Sequence, residues 1–308
     1  MTAPRTIADY LAQLRDALRG ADPALIQDAL YDAEEHLRAE LADQPNRSEA
    51  EMLAQVVGSY GAPDEVAEIY RDQEIKIQRA LRPPLAPKRN SLIGRFFGVA
   101  ADVRTWGSLF YMLLALGTGI AYFVLVVVGM SLSAGLSVLI IGVPFIVLFF
   151  GTVRVLALME GRIVEAMLGV RMPRRPPYPS SGTTLMKRIG AMFTDPRTWT
   201  TMFYMVLMLP LGIAYFTLTV TLMTVALGFM AAPFARLINV GDINRAFVDG
   251  TITVDWGFGP HVPGWSELIA MGVIGVLLFF TTLHLVRGLG RLQGQLAKHL
   301  LVASAAGQ

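Results

Sequence analysis

Asp102 to Phe123 reads DVRTWGSLFYMLLALGTGIAYF, and Asp195 to Phe216 reads DPRTWTTMFYMVLMLPLGIAYF. The two stretches align without a gap at an offset of 93, with 14 identities in 22 positions. Each runs Arg-Thr-Trp directly into a long apolar segment, so the repeated unit is a membrane entry point. A duplicated membrane module is therefore the frame for the rest of the chain.

The surrounding composition agrees. Hydrophobic residues make up 54% of the 308 and charged residues only 16%, against about 25% charged in ordinary soluble domains. Gly107 to Val153 is 47 residues without a charge or a histidine. As helix that is roughly 70 Å, about twice the hydrocarbon core, so the segment has to turn back once. The glycines point to a turn near Gly129-Met130-Ser131, with Gly135 close behind. A second uncharged run covers Thr200 to Ala235 and includes Pro210, Gly212 and Pro233; a third runs from Leu268 to Val286, broken by His284. The expected class is all-α, with a small cytoplasmic helical bundle and four transmembrane helices in two parallel two-helix repeats.

Basic residues set the expected orientation. Segments 81–106, 154–199 and 287–308 hold 16 of the 18 Lys and Arg after residue 80, whereas the loop 234–267 has only Arg236 and Arg245. The positive-inside rule then puts both termini and the central loop in the cytoplasm of a multi-pass inner-membrane protein. No signal peptide is expected ahead of these spans. Cysteine is absent, which excludes disulfides and thiolate metal sites. Residues 1–80 carry 16 acids and 8 bases, net −8, and the rest carries 18 bases and 8 acids, net +10. The basic excess flanks the membrane segments, where anionic headgroups account for it; direct nucleic-acid binding has no support.

Ahead of the spans, four short amphipathic helices are expected within residues 1–81. Thr6 to Arg19 places Ile7, Tyr10, Leu11, Leu14 and Leu18 on one face, and Asp22-Pro23 opens a second helix as N-cap and N1. Ser48-Glu49-Ala50-Glu51 is a capping box for a third helix ending at Gly58, and a fourth runs from Asp64 to about Leu81. Residues 82–91, with Pro83, Pro84 and Pro87, form a stiff linker. Two membrane modules follow, 92–180 and 181–308, the second holding the loop 234–267. Leu92 to Asp102, Leu185 to Asp195 and Gly161 to Gly169 have the apolar and basic mix of headgroup-layer helices.

Two stretches resemble known families. Tyr10-Leu11-x-x-Leu14, Glu34-Glu35-His36-Leu37 and Gly61-Ala62-Pro63-Asp64-Glu65-Val66-Ala67 resemble the HAAS signalling domain of bacteria, over roughly residues 5–75. Arg-Thr-Trp, Gly-Ile-Ala-Tyr-Phe and a Gly/Leu-rich return helix closing on basic residues resemble the bacterial "Putative sensor" membrane domain, over about 92–303. The HAAS resemblance implies a cytoplasmic protein partner, with a PadR-like transcriptional regulator as its implied identity. It also marks Glu34, Glu35, His36, Asp64 and Glu65 as partner-contact residues. Arg287 to Gln308 leaves no room for the kinase domains that often follow such a sensor domain.

The other candidate residues have structural readings. Arg104, Trp106, Arg197, Trp199, Trp256 and Trp265 suit the membrane interface. Gly119, Tyr122, Gly212 and Tyr215 form the expected packing seam of the repeats, with Gly117, Gly129 and Gly228 also allowing close approach. Thr251 to Gly259 alternates like a strand and suits a small hairpin. Asp242, Asp249, Asp255 and His261 lack an ordered ligand spacing, so no metal or cofactor is assigned. Arg154 and His284 sit where spans emerge and are explained by snorkelling. No Ser/His/Asp set, phosphate loop or carboxylate pair points to an enzyme. The leading expectation is a non-catalytic sensor or signalling adaptor for an envelope or membrane state. The alternative is a membrane subunit of a transporter or other assembly, marked by a polar or charged residue facing the bundle interior, and the sequence offers none. A structural, homo-oligomeric membrane protein is the third reading.

Overall fold

The computed structural model describes residues 4–44, 47–80, 91–137, 142–173, 195–237, 253, 259 and 261–302. Among these residues the secondary structure is helical and contains no strand. Of the expected hairpin over 251–259 only Thr253 and Gly259 are described, and of the linker 82–91 and the segment 185–195 only Ser91 and Asp195; the rest of these lies outside the described residues.

The first four helices form over the expected stretches, the second and third behind the caps read from the sequence. Helix α1 (Ile7–Ala17) starts behind Thr6, whose hydroxyl accepts from Asp9 N at 3.1 Å. Asp22 does the same for Ala24 N at 2.9 Å, with Pro23 opening α2 (Pro23–Asp43). Both halves of the Ser48/Glu51 capping box are made at the start of α3 (Glu49–Ser59). Gly61 takes a left-handed φ of 109° to turn the chain into α4 (Pro63–Ala80). A Cβ at that φ is strained, which explains the glycine there. Tyr10, Leu14, Leu18, Ala29, Ala33, Leu37, Met52, Leu53, Val56, Val66 and Ala67 form one buried cluster. Each large apolar side chain so buried contributes about 1.5–3 kcal/mol.

A short helix α5 (Leu92–Phe97) and a 3₁₀ turn (Gly98–Ala101) lead to α6 (Val103–Leu136). Then come α7 (Gly142–Leu168), α8 (Pro196–Leu237) and α9 (Trp265–Leu301). These four are long and apolar enough to cross a membrane. At 34, 27, 42 and 37 residues each exceeds the ~20 that a span needs. Pro210 and Pro233 lie inside α8 without ending it.

Two sequence expectations change. Helix α6 continues through Gly129-Met130-Ser131 to Leu136. Gly129 is bare for contact: a Cβ there would overlap the Phe149 ring of α7. Gly161 to Gly169 is no separate surface helix, because α7 runs unbroken to Leu168. Gly169, with φ 71°, then ends it.

The chain divides into two compact units: residues 1–86, 124–206 and 293–308 in one, and 87–123 with 207–292 in the other. Within the second unit α6 and α8 meet backbone to backbone. A Cβ on Gly119 would stand 2.5 Å from Met208 O, and one on Gly212 would overlap Ala115 O. Gly117 and Gly228, by contrast, have nothing within 4 Å. They are not part of this close packing.

Candidate functional site

Two surfaces of the four-helix domain gather polar and charged groups. The first gathers the residues named from sequence. His36 of α2 stacks on Tyr60 with ring centroids 4.4 Å apart, and Tyr60 ends α3 just before the Gly61 turn. Tyr10 donates to Gly61 O at 2.9 Å, and Glu65 accepts from Ala62 N at 3.0 Å. Glu35, Asp64 and Glu65 are exposed. Glu34 holds Arg38 through both Nε and Nη2, at 2.9 and 2.7 Å. His36, Asp64 and Glu65 are thus brought together around one turn, while Glu34 is occupied along its own helix. Behind them Tyr70 donates to Asp32 at 3.0 Å. Burial first, then the neighbouring Tyr60 and Asp32, pushes the Tyr70 phenol well above its usual range. Burial does the same for Tyr10 and Tyr60. All three remain hydrogen-bond donors at physiological pH.

The second surface was not found from the sequence. Gly169 turns the chain back after α7, and Val170-Arg171-Met172 then forms a strap. Val170 and Met172 pack toward the helices: Val170 lies against Gly294 of α9, and Met172, fully buried, lies against Gly161 of α7. Arg171 between them is 14% exposed and meets three carboxylates. Its Nη2 is 3.1 Å from Asp28 of α2, its Nε 3.3 Å from Glu74 of α4, and its Nη1 3.3 Å from Glu165 of α7. Nη1 also donates to Met172 O at 3.1 Å. Lys298, near the end of α9, reaches Asp22 at 2.5 Å. Two cations from the membrane part thus hold one face of the helical domain. Only Gly169 and the basic residues around it hinted at this, because the partners lie up to 276 positions apart.

Next to that strap is a buried polar contact that sequence reasoning also missed. Glu160 of α7, 1% exposed, accepts from the Tyr204 hydroxyl of α8 at 2.8 Å. That hydroxyl accepts from Gln293 Nε2 of α9 at 3.1 Å. The expectation that no charge-capable group faces the interior of the spanning helices is corrected here. Arg154 ends the charge-free run six residues before Glu160, so Glu160 read as part of a basic flanking segment.

At the helix entries, Asp102 caps α6 by accepting from Arg104 N, and Asp195 caps α8 by accepting from Arg197 N, each at 3.0 Å. Each also faces a cation on a return helix: Asp102 to Arg287 at 2.7 Å, Asp195 to Arg154 at 4.0 Å. Arg104 and Trp106 are exposed, Trp106 donating to Ala100 O at 2.8 Å. Trp199 and Trp265 are also exposed, and Arg197 is half-buried. Tyr122 and Tyr215 are buried, one turn beyond Gly119 and Gly212. Trp256 lies outside the described residues. His284 rests its ring on Phe96 and its Nε2 lies 3.1 Å from Phe96 O. The return helices share Leu-Phe-Phe-x-Thr, at 148–152 and at 278–282, a second repeat that would have aligned Arg154 with His284. Before α9, His261 Nε2 lies 2.7 Å from Glu267, and Arg236 donates to Pro263 O and covers the Trp265 ring. Among the described residues no group of His, Asp and Glu gathers as a metal site.

A search of curated proteins and one of solved structures return no match to the chain. Two protein-family models do match: HAAS over residues 9–69, and the family described as "Putative sensor" over residues 111–301. These are sensor and signalling domains and not enzyme families. The HAAS match takes in Glu34, Glu35, His36, Asp64 and Glu65 of the first surface and Asp22 and Asp28 of the second, and leaves out Tyr70, Glu74, Arg171 and Lys298. The longer match takes in the spanning helices, the strap and the Tyr204 contact, and by it the chain belongs to the "Putative sensor" family as a multi-pass membrane protein with an N-terminal HAAS domain.

Proposed function

We propose that this protein is a non-catalytic sensor or signalling adaptor of the bacterial inner membrane. It relays an envelope or bilayer state to a cytoplasmic partner through its HAAS domain. The observation that carries this reading is the direct ionic connection of Arg171 and Lys298 to Asp28, Glu74 and Asp22. A signalling domain ion-paired to the ends of membrane helices is placed to feel their movement. The two entry copies, with their matched caps and their paired close approaches at Gly119 and Gly212, support a membrane part made of two parallel two-span modules. Both termini face the cytoplasm in this reading, following the positive-inside rule. The partner is a transcriptional regulator of the PadR-like type, docking on Glu35, His36, Asp64 and Glu65.

The test is capture of partners by the full-length tagged protein in native membranes, beside a Glu35→Ala/His36→Ala variant. A transcriptional regulator held by the native chain and lost by the variant supports the reading. Membrane transport subunits held equally by both would replace it with the assembly reading. Buried Glu160 is the one observation favouring that second reading, since an ionisable group among spanning helices often marks a path. The Tyr204 hydroxyl it accepts from, which itself accepts from Gln293, fits a polar pin between helices better. Orientation is checked separately: the chain has no cysteine, so Thr6→Cys and Ser266→Cys report sidedness to an impermeant thiol reagent. Labelling of intact cells at 266 but not at 6 is expected.

A further inference from the structure

Glu160, Tyr204 and Gln293 join α7, α8 and α9 at one level. Five residues beyond Glu160 on α7 stands Glu165, with Arg171 on the strap that follows. Five residues beyond Gln293 on α9 stands Lys298. Each arm reaching the HAAS domain therefore starts from a helix that the Tyr204 hydroxyl holds. The strap is seated on the same two helices, Met172 against Gly161 and Val170 against Gly294.

From this arrangement we propose an autoinhibitory clasp. Arg171 and Lys298 cover the acidic face of α2 and α4, and the Tyr204 pin keeps the two arms in register. Sliding α7 against α9 breaks that register and frees the face for a basic segment of the partner. The inference rests on the sensor reading above and gives its regulation. The charge balance suits release. One guanidinium faces Asp28 and Glu74 across the contact, while Glu165, on α7, travels with Arg171, so a basic partner segment exchanges one cation for another on the HAAS face. Removing one member of such a set costs far more than the intact pair contributes, because the abandoned charges stay behind. The freed face, with Asp22, Asp28 and Glu74, matches a Lys/Arg-bearing partner surface in sign and in its capacity for forked hydrogen bonds.

The experiment measures distance by pulsed electron resonance on the full chain in lipid nanodiscs. Spin labels sit on Ala12→Cys and Gln295→Cys, both exposed in a chain with no other cysteine. The native chain is expected to give one narrow distance. Arg171→Ala is expected to raise the population at longer distances about tenfold or more, and Lys298→Ala to raise it less. Tyr204→Phe, which keeps the ring and removes the pin, is expected to shift it in the same direction as Arg171→Ala. Arg171→Lys keeps the charge and loses the fork, and should fall between native and Arg171→Ala. If Arg171→Ala misfolds by circular dichroism, the isosteric pair Asp28→Asn/Glu74→Gln reads the same contact. Distances unchanged in Arg171→Ala, or in that pair, overturn the clasp. Distances unchanged in Tyr204→Phe alone overturn its control by the pin. Failure of the sensor reading looks different: distances respond to Arg171, yet no variant captures a regulator.

Discussion

Phe110 and Phe203, 93 positions apart, are 59% and 60% exposed, while Tyr111 and Tyr204 beside them are each 1% exposed. The match continues along α6 and α8. Thr105 and Thr198, Met112 and Met205, Ala115 and Met208, and Tyr122 and Tyr215 are all buried, and Ile120 and Ile213 are exposed. The copies part company where polar groups are concerned. Tyr204 bridges Glu160 and Gln293, and Asp102 sits much closer to its arginine than Asp195 does. Two apolar helices of like sequence bury the same face, because that face is written in their own residues. The polar partners of such a helix come from other segments of the chain.

The sharpest way to break the shared half of this comparison is at the glycines. Gly119→Ala and Gly212→Ala each set a methyl against the opposite helix backbone, which cannot rotate away as a side chain can. Each is expected to cost about 1–3 kcal/mol, toward the upper end. Gly117→Ala and Gly228→Ala meet nothing within 4 Å and should be neutral or slightly stabilising through helix propensity. Thermal unfolding in one detergent reads all four. Equal costs at 119 and 212 would sharpen the likeness of the copies; a cost at only one would break it.

The divergent half is tested at Tyr204. Tyr204→Phe leaves a buried carboxyl and a buried amide without their bridging hydroxyl, at an expected cost of about 1–3 kcal/mol. Glu160→Gln keeps a hydrogen-bonding side chain of the same size and should cost less than Glu160→Leu, which removes the carboxylate that the Tyr204 hydroxyl donates to. If Glu160→Leu proves the milder of the two, the contact is a burden that packing could replace, and the pin has no structural role.

How far the sequence could be read follows the same division. The faces of α1 to α4 were legible, and the caps of α2 and α3 with them, because Asp22-Pro23 and Ser48/Glu51 act within three residues of themselves. The spans were legible because a run of 47 uncharged residues admits few other fates. The turn was misplaced because Gly129 looks like a breaker, and in a membrane helix a glycine as often marks a close neighbour, here Phe149. Arg171 was passed over inside a stretch of basic residues that topology alone seemed to explain. Its meaning depends on Gly169, on bare sites at Gly161 and Gly294, and on acids in α2 and α4, none of which a local pattern connects.

The smallest expected effect gives the finest comparison of the copies. Asp102 and Asp195 both cap a helix through the same oxygen at the same 3.0 Å, and differ in the ion pair that the second oxygen makes. Asparagine caps as well as aspartate does, so Asp102→Asn and Asp195→Asn keep the cap and remove only the charge. Both pairs are partly exposed to solvent, which places them in the range of about 0.2–1 kcal/mol. Asp102→Asn, losing a 2.7 Å contact to Arg287, should fall near the top of that range, and Asp195→Asn, at 4.0 Å from Arg154, near the bottom. Raising the salt should shrink the first loss and leave the second nearly unchanged. Equal losses would mean that the two entry points are electrostatically alike and that the difference in distance has no energetic weight. A larger loss at Asp195 would mean that Arg154, six residues before Glu160, takes part in holding the α7 end, and would tie the second entry to the Tyr204 contact directly.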